Sequence, residues 1–142
     1  MHFEVSVDID ASPETVWGLL TDVEHWPDMT ASINRVELLE KPFALSSRAR
    51  VFQPRLPPAI WTVTAFDENR SFTWESRSPG IITIGGHNLT TKPDGTVSVQ
   101  LTLDQKGPLA PVMSVFTGRL ARRYITMEAN GLKSKAESLN QT

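Results

Sequence analysis

The sequence predicts an α+β fold: a curved seven-stranded antiparallel sheet wrapped around one long C-terminal helix, with two short helices between strands 1 and 2. Three observations predict it. The chain opens on an alternating strand that runs into a capped helix, six short strand-like runs follow between residues 31 and 105, and an unbroken helical stretch reaches from Leu109 to about Leu139.

In the first strand Phe3, Val5, Val7 and Ile9 alternate with polar neighbours, which puts four apolar side chains on one face. Ser12 as N-cap and Pro13 at the first helical position then start a helix through Trp17 and Leu20. A second short helical turn begins at Asp22. Pro27 disfavours the α region for Trp26, so this turn is expected to stop there. Strands are expected near 31–39, 47–53, 60–66, 71–76, 81–91 and 96–105. Asp67-Glu68-Asn69-Arg70 and Lys92-Pro93-Asp94-Gly95 have the residue types of hairpin loops. In the last strand Val97, Val99, Leu101 and Leu103 share one face and Ser98, Gln100 and Thr102 the other, the pattern of a sheet wetted on one side.

Gly107-Pro108 breaks the sheet. The helix that follows has about 30 residues, and at 1.5 Å each it spans roughly 45 Å, enough to cross the sheet. In its first half Leu109, Val112, Met113, Phe116 and Leu120 cluster on one stripe, with Met127 in the same sector. Ile125, Leu132, Ala136 and Leu139 form a second stripe, rotated by more than a quarter turn. Either the helix bends near Gly118, or it is buried on two sides with the later stripe touching the short N-terminal helices.

The chain has 142 residues, which fits one domain spanning residues 1–142. A chain of this length buries roughly 70% of the surface its unfolded form exposes. A net charge of −2 argues against nucleic acid as a partner, because phosphate neutralisation needs a basic stripe. There is no cysteine and no apolar run resembling a signal peptide or membrane span, so neither a disulfide framework nor stable membrane insertion is expected, and a cytoplasmic location is. Monomer and homodimer both remain open. No metal or cofactor is expected: His2, His25 and His87 are isolated in the sequence, and Gly85-Gly86 lacks the residues of a P-loop or dinucleotide fingerprint.

One helix cannot fill the concave face of a curved seven-stranded sheet, which points to a pocket. Pockets of this kind are mostly apolar and commonly enclose ~300 to 1,000 Å³. Val63, Phe72, Trp74, Leu89, Val99 and Leu101 from the strands and Met113, Phe116 and Leu120 from the helix are candidates to line it; the same residues equally suit an ordinary core. His87 shares strand parity with Leu89, just beyond Gly85-Gly86. It is a candidate to move a proton at neutral pH or to bind a ligand carbonyl, unless a bulge at the glycines reverses its face. Arg123 falls in the first helical stripe, either as an anchor for an acidic head group or as a solvated member of a patch with Arg119 and Arg122. Tyr124 borders that stripe with a phenol able to donate to a ligand oxygen. The stiff loop Pro54-Arg55-Leu56-Pro57-Pro58 places Leu56 as a candidate gate at the cavity mouth.

The order of elements resembles the helix-grip fold of the START / Bet v 1-like (SRPBCC) superfamily, in particular its bacterial polyketide cyclase/dehydrase and lipid-transport group. The residues that carry the resemblance are Ser12-Pro13, Trp17, Asp22 and Trp26-Pro27; Trp61-Thr62-Val63 and Asp67 to Arg70; Ser78-Pro79-Gly80 and His87; Gly95-Thr96; and Gly118-Arg119, Tyr124, Glu128 and Leu132-Lys133. It covers essentially the whole chain. Ser46-Ser47 and Met29 depart from the pattern, standing where many relatives have a glycine and an aromatic residue. The resemblance implies a deep hydrophobic cavity for a lipid, polyketide, isoprenoid or aromatic metabolite, on a scaffold that hosts carriers, receptors, cyclases and hydrolases alike.

Three functions follow as expectations. The first is binding or transport of a hydrophobic small molecule. The second is a cyclase or dehydratase, with His87 moving protons and Arg123 or Tyr124 steadying an enolate oxygen. The third is a protein-interaction domain that uses the second helical stripe or the loop from Pro54 to Pro58.

Overall fold

The computed structural model describes residues 2–140; Met1, Gln141 and Thr142 of the expected domain lie outside them. Strand β1 (His2–Ile9) leads into helix α1 (Pro13–Thr21) and a short 3₁₀ helix (Val23–Asp28). Strands β2 (Arg35–Leu38), β3 (Arg48–Phe52), β4 (Ala59–Asp67), β5 (Ser71–Ser78), β6 (Ile81–Thr91) and β7 (Val97–Lys106) follow, and helix α2 (Ala110–Asn140) ends the chain. The seven strands form one sheet in the order β1-β7-β6-β5-β4-β3-β2, antiparallel throughout. α2 lies across it against β1, β7 and α1. This is the expected helix-grip arrangement.

Local chemistry explains the ends of the elements. Ser12 Oγ accepts from the Thr15 backbone N–H at 3.2 Å, a capping bond that satisfies one of the donors left free at the start of α1. Gly95 adopts a φ of 86° and its N–H bonds the Lys92 carbonyl at 3.0 Å, which closes the β6–β7 hairpin where an L side chain would be strained. Two of the differences from the expected boundaries have a local cause. The 3₁₀ helix passes Pro27 and ends at Asp28, because its closing bonds come from the Met29 and Thr30 N–H groups to the Trp26 carbonyl and need no donor at the proline. β2 is shorter than expected because residues 30–33 are drawn into a turn in which the Thr30 and Ser32 hydroxyls bond at 2.7 Å.

The core sits between the concave face of the sheet and the two helices. Phe72 is fully buried at its centre, edge-on to Trp17, Phe43 and Trp74 and stacked on His87 at 4.0 Å between ring centroids. The second half of α2 contributes Ile125, Ala129, Leu132 and Ala136 to this core, while α1 contributes Val16, Trp17 and Leu20. The later helical stripe therefore does meet the short N-terminal helix.

Gly18 lies on the exposed face of α1, and a Cβ added there would meet nothing within 4 Å. Gly18→Ala is accordingly expected to stabilise the protein by about 0.5–1 kcal/mol, read as a raised midpoint in urea unfolding. A lowered midpoint would contradict that account of the site.

Candidate functional site

A cavity of about 230 Å³ opens between the concave sheet and the first half of α2, somewhat below the expected size range. The register of the sheet sets its floor. Trp74 pairs with Gly85 and Gly85 with Leu103, while His87 pairs with Phe72 and Leu101, so all of these share the concave face. A Cβ on Gly85 would come within 3.1 Å of Trp74 Nε1; the glycine makes room for the indole. The Gly85-Gly86 pair carries no register break between β5 and β6, and His87 keeps the face it shares with Leu89.

The helix leaves the space unfilled. Towards the sheet α2 presents Met113, Thr117, Ala121, Tyr124 and Glu128, of which two are small, while Leu109, Val112 and Phe116 of the first stripe turn outward. Leu56 and Pro57 from the β3–β4 loop complete the wall. Tyr124 ties that loop to α2 by donating its hydroxyl to the Pro54 carbonyl. A smaller void of about 20 Å³ adjoins the cavity and shares Trp26, His87, Leu101 and Glu128 with it, which marks these four as the inner end.

The electrostatics concentrate there. His87 Nδ1 donates to the Phe72 carbonyl at 3.2 Å, which assigns the neutral tautomer with Nε2 as acceptor. Burial, only partly offset by that bond, pushes its pKa down to about 4. Glu128 has no hydrogen-bond or ion-pair partner among the described residues, and burial of its carboxyl pushes the pKa up to about 8. At pH 7 both groups are uncharged, one as a proton donor and the other as an acceptor. The Trp74 indole N–H, also without a partner among the described residues, adds a second donor to the wall.

Of the residues expected to line the cavity, the structure brings Trp74, His87, Leu101 and Met113 together on its wall, with Tyr124 and Leu56. Val63, Phe72, Leu89 and Val99 are buried in the core instead, Phe72 within the aromatic cluster. Phe116 points to solvent on the outer face of α2, and Leu120 is half-buried outside the wall. Arg123 is exposed on that same outer face and does not reach the cavity. Tyr124 reaches it, but its only proton is committed to a backbone carbonyl. Glu128 was not among the residues expected to act, although its helical neighbours Tyr124, Ile125 and Leu132 at spacings of three and four are all buried.

A family model described as polyketide cyclase / dehydrase and lipid transport matches residues 1–137. The chain belongs to this family. Solved structures agree on the fold. The Zhui aromatase/cyclase from Streptomyces sp. R1128 superposes with a TM-score of 0.78 at 19% identity, covering 96% of this chain and 93% of that one. A START superfamily protein from Mycobacterium smegmatis gives 0.75 at 18%, covering 97% and 98%. The major latex-like protein 151 from Panax ginseng gives 0.76 at 17%, covering 96% and 97%. No curated protein matches the sequence. Membership in the polyketide cyclase / dehydrase and lipid transport family and the helix-grip fold point to hydrophobic ligand binding or a cyclase-type function. Among the described residues no helix is long and apolar enough to cross a membrane.

Proposed function

We propose that this protein binds an uncharged, mainly apolar small molecule in the cavity and holds it without transforming it. The observation that carries this reading is the wall itself. Trp26, Trp61, Trp74, Ile81, Leu101 and Leu103 supply apolar area, and among the described residues no lysine or arginine lines the space. An anionic head group would meet no counter-charge there and would face Glu128, so desolvation of its charge would go uncompensated. A ligand with one or two oxygen atoms suits the site better: the Glu128 carboxyl and the Trp74 N–H can donate to it, and the rest of its surface gains roughly 25 cal/mol per Å² of apolar burial.

One observation favours a second reading, a cyclase- or dehydratase-type enzyme. A carboxyl with a pKa of about 8 keeps its proton at pH 7 and releases it to a developing alkoxide or enolate, the property required of a general acid. In that reading Glu128, more than His87, carries the proton, because an imidazole with a pKa of about 4 is a weak base.

Native mass spectrometry after incubation with a small-molecule extract of the protein's own source separates the two. A retained, unchanged compound supports binding; loss of a compound with release of a new one supports the enzyme. Ala121→Phe, which inserts a ring into the cavity, is expected to reduce retention at least about tenfold with little change in unfolding midpoint. Undiminished retention would place the ligand elsewhere.

A further inference from the structure

The outer face of the first half of α2 is unusual for a soluble surface. Val115 is 80% exposed, Phe116 78%, Val112 50% and the preceding Leu109 46%. One turn further on, the same face carries Arg119, Arg122 and Arg123, all exposed. Spacings of three and four place Val112, Val115, Phe116, Arg119, Arg122 and Arg123 on one side of the helix. Between Lys106 and Glu128 there is no acidic residue, and among the described residues Arg119 and Arg123 have no acidic partner. Arg122 rests over the Phe3 ring at 5.0 Å.

From this geometry we infer that the outer face of α2 docks on an anionic lipid surface, with Val112, Val115 and Phe116 entering the interface and the three arginines meeting lipid phosphates. The apolar residues form a convex ridge of protruding side chains, which a fluid bilayer accommodates without a matching groove. The basic cluster supplies attraction to an anionic leaflet. A second copy docking by the same patch offers these arginines no acidic partner: with the helices parallel they meet arginines, and with the helices antiparallel they meet the apolar ridge. The opposite side of these turns, Met113, Thr117 and Ala121, lines the cavity, so the helix that touches the surface is the helix that closes the pocket. The contact is peripheral and holds whichever reading of the cavity is correct.

The test is flotation of the intact protein with vesicles of phosphatidylcholine alone and with vesicles that also contain phosphatidylglycerol. Binding is expected to the mixed vesicles only, weakening as salt is raised. The double variant Val115→Ser/Phe116→Ser and the double variant Arg119→Gln/Arg123→Gln should each bind roughly tenfold more weakly or worse, with unfolding midpoints near that of the parent. Absence of binding to the mixed vesicles overturns the proposal, as does equal binding by the variants. It is likewise overturned if the ridge instead mediates self-association, seen in analytical ultracentrifugation as dimers lost in Val115→Ser/Phe116→Ser, or captures an acidic protein without vesicle binding.

Discussion

Glu128→Gln is expected to stabilise the protein, by up to about 3 kcal/mol at pH 7. The sign follows from the direction of the shift. In the unfolded chain this carboxyl titrates near 4.5, and in the folded protein burial raises it to about 8. Between those values the folded state holds a proton that the unfolded state has released, so stability falls as pH rises and the loss is complete above about 8. Glutamine presents a similar neutral amide and removes the dependence. The carboxyl faces free space in the cavity, so partial hydration makes the figure an upper value. His87 works in the opposite sense: its folded pKa of about 4 lies below the ordinary 6.5, so its environment favours folding above that range and loses this advantage as pH falls towards 4. From about pH 4.5 to 6.5 the two slopes oppose each other. Urea unfolding of parent and Glu128→Gln across this range and up to pH 9 should give a stability difference near zero at the acid end that grows to a plateau above 8. A difference independent of pH would remove Glu128 as a buried, partnerless acid. The proposed donor role makes a companion demand on any uncharged ligand that is found: its affinity should weaken as pH rises through about 8.

Gly131→Ala is expected to destabilise the protein by about 1–3 kcal/mol or more, although the same change in an open helix would stabilise it by about 1 kcal/mol. A Cβ at this position would lie 2.0 Å from the Met29 carbonyl oxygen and 2.9 Å from its carbon. Both atoms are backbone, so no side-chain rotation relieves the clash. α2 must lift away from the residues that follow the 3₁₀ helix, or that segment must shift. Either movement disturbs the small void that Met29 and Thr30 line with Glu128. Gly18→Ala, with open space around it, carries the opposite sign. Thermal unfolding of the two variants side by side checks the pair, and a stabilised Gly131→Ala would show that α2 is not seated as tightly as described.

Much of the fold was legible because alternation and turn chemistry are local. β6 occupies 81–91 as expected, and the β6–β7 hairpin closes at Gly95 as its sequence suggests. The first stripe of α2 was legible only as an apolar face. Periodicity reports that Val112 and Phe116 lie together and says nothing of whether protein or solvent faces them, and the structure turns them outward. Glu128 was hidden for a related reason. A single acid in a helix has the composition of a solvated face, and only residues distant in the chain, such as His87 and Trp26 across the cavity, determine that nothing pairs with it. Arg123 illustrates the converse: it falls in an apolar sector, and of its two readings the fold takes the solvated one, beside Arg119 and Arg122.

The strand order has a consequence for how the molecule assembles. β2 to β7 each pair with the strand next in sequence, so that part of the sheet can zip from one hairpin to the next by short loop closures. β1 alone waits: pairing His2 with Asp104 closes a span of 102 residues. Loop-closure entropy makes such a contact late and slow relative to the hairpins. During synthesis the first strand is therefore made first and joined to the sheet last, with the apolar face of Phe3, Val5, Val7 and Ile9 unsheltered until β7 has left the ribosome.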